Sequence, residues 1–74
     1  MSQTRTVAGK ELVPLGMIAG RAIYTFTSRD ETYRLTPDTG SAYLLRRMSD
    51  GFTSVFATLE EAVTYVATLE AQDG

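Results

Sequence analysis

A chain of 74 residues without a single cysteine or histidine makes one small domain at most. It has no disulfide or zinc–thiolate staple, and it lacks the usual general base, the usual thiol nucleophile and the common transition-metal ligands. A net charge of −2 argues against a general nucleic-acid coat and leaves room for a local basic patch.

Residues 1–11 are polar and aperiodic and are expected as a flexible arm ahead of a single domain over 12–74. Residues 12–20 are apolar but broken by Pro14, Gly16 and Gly20, which predicts an extended segment or short edge strand and no helix. Arg21 to Ser28 alternates as a strand, with Ala22, Tyr24 and Phe26 on one face and Ile23, Thr25 and Thr27 on the other. After a polar tight connection at Ser28-Arg29-Asp30-Glu31, Thr32 to Thr36 alternates again. Pro37-Asp38-Thr39-Gly40 is a turn, Ser41 to Met48 a third strand, and Ser49-Asp50-Gly51 leads into Phe52 to Phe56.

Thr58 and Glu61 have the spacing of a capping box at the start of a helix. At 100° per residue, Leu59, Ala62, Val63, Tyr65, Val66, Ala67 and Leu69 share one arc, and Glu60, Glu61, Thr64 and Thr68 the opposite one. Glu70 falls on the apolar arc, so packing is expected to stop at Leu69. The whole predicts an α+β fold: a three- to four-stranded antiparallel meander with one C-terminal helix packed on one face. The covered face should hold Tyr24, Phe26, Tyr33, Leu35, Tyr43, Leu45, Phe52 and Phe56. The other carries Ile23, Thr25, Arg34, Leu44, Arg46, Met48 and Val55, more apolar surface than a purely solvated face holds, so either the Pro14 segment or another molecule should cover it.

Charge is unevenly spread. Residues 1–20 hold Arg5, Lys10 and Glu11; residues 21–48 hold Arg21, Arg29, Arg34, Arg46 and Arg47 against Asp30, Glu31 and Asp38; residues 49–74 hold Asp50, Glu60, Glu61, Glu70 and Asp73 with no base. This describes either ordinary solvated charge or a basic sheet with an acidic helix. The serines lack any base nearby, the adjacent Glu60 and Glu61 point about 100° apart and cannot form a catalytic carboxylate pair, and the glycines match no phosphate loop. The expectation is therefore a protein that is not an enzyme and has no cofactor or metal. Without a segment of signal-peptide type or an apolar run long enough for a bilayer, its expected place is the cytoplasm.

What remains is binding. Arg34 and Arg46, with Thr25 and Leu44, make a candidate partner-binding set on the outer sheet face, because arginine forks suit phosphate or carboxylate. Asp50, Glu60, Glu61 and Glu70 make a second candidate set, an acidic surface able to mimic nucleic acid in a basic groove. The step Phe56-Ala57-Thr58-Leu59-Glu60-Glu61-Ala62 resembles the aromatic-x-Thr-x-Glu-Glu-Ala entry to the helix in AP2 and integrase N-terminal domains of the three-stranded-sheet-plus-helix type. That resemblance implies a sheet face entering the DNA major groove, with Arg34 and Arg46 in the places of its arginines; no outer-face aromatic matches. In size and plainness the chain is similar in character to the small inhibitors of phages and mobile elements, anti-CRISPR proteins among them, which would place it in a host cytoplasm. The sequence thus favours an inhibitor that occludes a surface of a larger protein complex, with DNA binding as the alternative. It also raises a homodimer through the outer faces, Leu44 against its own copy, or through edge strands.

Overall fold

The computed structural model describes residues 4–73. In chain order the elements are β1 (Arg5–Val7), β2 (Lys10–Ile18), β3 (Arg21–Ser28), β4 (Glu31–Pro37), β5 (Tyr43–Arg47), β6 (Thr53–Phe56) and α1 (Leu59–Asp73). Among the described residues the strands form one antiparallel sheet in sequence order, β1-β2-β3-β4-β5-β6. The α+β class and the meander hold, but the sheet has six strands where three or four were expected. No helix among the described residues is long and apolar enough to cross a membrane.

The two additional strands come from the N-terminal region. Residues 5–11, expected in a flexible arm, form a hairpin in which Arg5, Thr6 and Val7 face Leu12, Glu11 and Lys10; residues 1–3 of that arm lie outside the described residues. The 12–20 segment does not fold over the outer face but joins the sheet as β2. Its register slips between Pro14 and Gly16, a bulge at Leu15 directly after the residue that has no N–H to give the ladder. Two turns make these hairpins possible. Ala8-Gly9 and Ala19-Gly20 all have positive φ, from 49° to 78°, the twisted two-residue turn that matches the strands' own twist. Alanine is a costly occupant of that conformation, so neither turn carries an obvious sequence signal.

β2 changes partners midway: Lys10–Leu12 pair with β1, and Val13 onward pairs with β3. The β1–β2 hairpin therefore reaches the helix. Arg5 bonds Glu60 near one end of α1, and Lys10 bonds Glu70 at 2.6 Å near the other. The segregated charge of the sequence is thus partly a pairing of N-terminal bases with helix acids.

The core lies between α1 and the inner face: Leu12, Phe26, Tyr33, Leu35, Tyr43, Leu45, Leu59, Ala62, Val63 and Val66. Phe52, expected there, is 37% exposed, because the Asp50-Gly51 turn carries it to the rim with its ring 5.0 Å from the Arg47 guanidinium carbon. The helix begins as the capping residue predicts, with the Thr58 hydroxyl accepting from the Glu61 N–H at 3.2 Å. It does not stop packing at Leu69. Glu70 stays half-buried on the apolar arc because Lys10 and the buried Ser28 hydroxyl both donate to its carboxylate. At the far end of the sheet, Arg21 donates to the carbonyls of Asp38, Gly40 and Ala42 at 2.5–2.8 Å and lies over the Tyr43 ring. It thereby fixes the loop between β4 and β5.

Candidate functional site

Alternation along five strands places one set of side chains opposite the helix. Cross-strand register aligns Val13, Thr25, Arg34, Arg46 and Thr53 in a single row from β2 to β6. Beside it runs an apolar row in which Thr36 faces Leu44 and Leu44 faces Val55. Leu15, Ile18 and Ile23 close that end, forming with Arg34 and Thr36 a shallow open hollow. Leu15, Ile18 and Val55 are 52%, 46% and 55% exposed. A face that is part aliphatic shelf and part basic–hydroxyl row is what the structure offers to a partner.

The two arginines define it. Arg34 and Arg46 are direct cross-strand neighbours, in the hydrogen-bonded class of pair with Cα atoms about 5.5 Å apart. Like charges directly opposed on a sheet destabilise it. Elsewhere the molecule neutralises its bases: Arg5 bonds Glu60, Lys10 bonds Glu70, Arg47 bonds Asp50, and Arg21 has its three carbonyls. Among the described residues, neither Arg34 nor Arg46 has a carboxylate or carbonyl partner. The Thr25 hydroxyl beside them donates to the Tyr33 carbonyl at 2.9 Å.

Thr25, Arg34, Leu44 and Arg46, singled out from sequence, therefore lie together. Asp50, Glu60, Glu61 and Glu70 lie apart from them, and three of the four have intramolecular partners. Asp50 accepts a two-pronged bond from Arg47 (3.1 and 2.8 Å) and one from the Phe52 N–H. Glu60 takes Arg5, and Glu70 takes Lys10 and Ser28. Only the Glu61 carboxylate has no partner among the described residues. The sequence does not place Val13, Leu15 and Ile18 on this outer face, because residues 12–20 read only as an extended segment or short edge strand and the bulge between Pro14 and Gly16 changes the face that Ile18 takes.

A polar cleft between α1 and the β3–β4 turn is lined by Ser28, Arg29, Glu31, Tyr33, Arg47 and Glu70 among others; of these, Arg47 is bonded to Asp50, and Glu70 to Lys10 and Ser28. No group of three or more acidic, histidine or cysteine side chains among the described residues is placed to hold a metal ion. The ion pairs do predict a pH dependence. Arg47, with help from the Phe52 N–H, holds Asp50 down from 3.8 to about 2, and Lys10 with Ser28 holds Glu70 below its ordinary value. Both carboxyls bind protons less readily folded than unfolded, so their stabilisation is complete above about pH 5 and drains as pH falls toward 2. The urea midpoint should be level from pH 7 to 5 and fall below that. Asp50→Asn should flatten the lower part of the fall and Glu70→Gln the upper part, and a wild-type midpoint unchanged at pH 3 would refute the assignment.

No family model, curated protein or solved structure matches this chain.

Proposed function

We propose that this protein is a non-enzymatic binding module that docks through the outer face of its sheet on a larger protein assembly and acts by occluding the surface it covers, a small inhibitor in the manner of anti-CRISPR proteins. The observation that carries this reading is the Arg34–Arg46 pair. Two unneutralised guanidinia held side by side cost the isolated fold stability, and a partner's carboxylates would return it as forked, charge-assisted hydrogen bonds. The adjoining Leu15–Ile18–Ile23–Leu44–Val55 shelf supplies the apolar area such an interface needs.

Two features favour a protein over a DNA duplex. The strands β2–β6 at about 4.8 Å spacing are roughly 19 Å across, against a major groove about 12 Å wide. The basic row is also flanked by aliphatic side chains on one whole side, with no second basic row for the opposite phosphate strand. The same arginines weigh against a homodimer through the outer faces, since a two-fold axis there would gather four guanidinia with no counter-charge.

The test is affinity capture with wild type and with the Arg34→Glu/Arg46→Glu pair, which keeps the like-charge repulsion and so keeps stability comparable. Wild type should retain a partner that the reversed pair loses by tenfold or more, with equal thermal melts for the two proteins. Equal capture by both would reject the outer face as the docking surface. A wild-type protein that binds a mixed duplex tightly at low salt, with affinity falling steeply as salt rises, would reject the protein partner in favour of DNA.

A further inference from the structure

The sheet has two edges, and they are guarded differently. β1 is three residues long and its Arg5 reaches across to Glu60; beyond it the same edge runs along Val13–Ile18 of β2, which Pro14 and the bulge between Pro14 and Gly16 interrupt. β6, Thr53-Ser54-Val55-Phe56, has no charge, no proline and no bulge. These are the devices with which proteins usually block an edge against a further strand.

The hydrogen-bond pattern shows which groups are open. The Arg47 N–H donates to the Phe52 carbonyl at 2.8 Å, and the Met48 N–H to the Thr32 carbonyl at 2.9 Å. Alternation then turns Leu45 and Tyr43 toward Ser54 and Phe56, and turns the N–H and C=O groups of Thr53 and Val55 away from the sheet. Four main-chain groups in ladder spacing thus face outward. Directly beside them, β6 and the flank of α1 border a groove lined by Phe56, Glu60, Glu61, Thr64, Tyr65 and Thr68. Its floor is aromatic, with the Phe56 and Tyr65 rings 5.2 Å apart. Its rim holds two carboxylates and no base. Glu60 is engaged by Arg5, while Glu61 has no partner among the described residues.

We infer that the open edge of β6 and the adjoining flank of α1 bind an extended peptide as an added strand, turning an apolar and a basic side chain of that peptide toward the Phe56–Tyr65 groove and the Glu61 carboxylate. A strand added about 4.8 Å beyond β6 would pair with Thr53 and Val55. Every second side chain would point to the α1 side, next to Ser54 and Phe56. The aromatic floor takes an aliphatic group there, and Glu61 takes a cation. Charge complementarity selects a foreign basic strand over a second copy, since a β6–β6 dimer would bring together two grooves that carry only carboxylates. The inference uses the β6 main chain and the α1 flank and neither Arg34 nor Arg46; Thr53 and Val55 also turn their side chains to the outer face, so shifts at Ile18, Ile23, Arg34 and Arg46 are what distinguish the two proposals.

The probe is the acetylated, amidated octapeptide Thr-Lys-Thr-Val-Thr-Lys-Thr-Val, titrated into the 15N-labelled full chain to millimolar concentration. Shifts should be confined to Thr53–Phe56 and Glu61–Thr68, with slowed exchange of the Thr53 and Val55 amides. Glu61→Lys should weaken binding about fivefold and reverse the preference toward the same peptide with Glu in place of Lys. Val55→Pro should abolish binding while leaving the thermal melt nearly unchanged, because the N–H it removes is not in the ladder with β5. If that variant is destabilised, a peptide N-methylated on its β6-facing amides gives the same test, since it should not bind the wild type. No shifts at millimolar peptide, shifts on the outer face instead, equal binding of the N-methylated peptide, or β6 shifts that depend on protein concentration without peptide would each overturn the assignment.

Discussion

Val66→Asp should leave the protein without a cooperative thermal transition. Val66 is 1% exposed and belongs to the buried cluster with Leu12, Phe26, Leu35, Leu45 and Val63. The change forfeits about 1.5–3 kcal/mol of apolar burial. It also takes a carboxyl group out of water into that packed cluster, at a further cost of several kcal/mol. A domain of this size has about 5–15 kcal/mol of stability in all, and a 74-residue chain without a covalent staple belongs at the low end. Far-UV and near-UV circular dichroism on heating provide the measurement. Thr68→Asp is the control: the same helix, two residues on, at an exposed position, where the melt should move by no more than a few degrees. A sigmoidal wild-type-like melt for Val66→Asp would mean that α1 does not cover the sheet as described.

That helix was the most legible part of the chain, for a physical reason. Its stripe, its Thr58 cap and the period-two alternation of β3 and β4 are local patterns, and local patterns survive in sequence. The same alternation sorted Thr25, Arg34, Leu44 and Arg46 onto one face. Register then made the site sharper than sequence allowed, because only pairing shows that Arg34 faces Arg46 directly. What could not be read depended on distant partners. Arg5-Thr6-Val7 has no apolar alternation and is a strand because β2 pairs with it and Glu60 anchors its arginine. Ala8-Gly9 and Ala19-Gly20 adopt turns that Asn-Gly would have announced. Glu70 looked like the end of helix packing because its partners, Lys10 and Ser28, are 60 and 42 residues away. Phe52 looked like core by hydrophobicity, but a turn residue's direction is set by the turn, and Asp50 and Arg47 hold that turn at the rim.

Leu12→Ala should cost about 2–5 kcal/mol, the range for truncating a fully buried leucine whose surroundings cannot collapse. Leu12 has no exposed surface at all, and it occupies the residue of β2 after which pairing passes from β1 to β3. Its side chain is the apolar anchor of the N-terminal hairpin on the helix side of the sheet, with the Arg5–Glu60 and Lys10–Glu70 bonds as the polar anchors. The Arg5–Glu60 bond is exposed, and pairs of that kind contribute little alone, while Lys10–Glu70 is part-buried and acts at the far end of the helix. The loss should therefore be uneven. Amide exchange at Thr6 and Glu11 should rise far more than at the paired amides of β3, β4 and β5, since the hairpin gives up its main burial while the central strands keep theirs. Leu15→Ala is the informative contrast. Three residues along the same strand, but 52% exposed on the outer face, it should cost under about 0.5 kcal/mol in urea unfolding and show its effect in partner capture instead. If Leu12→Ala unfolds at the wild-type urea midpoint, or if exchange rises uniformly over all six strands, the hairpin is not held to the helix through Leu12. Residues 4–12 would then be joined to the domain by backbone pairing alone.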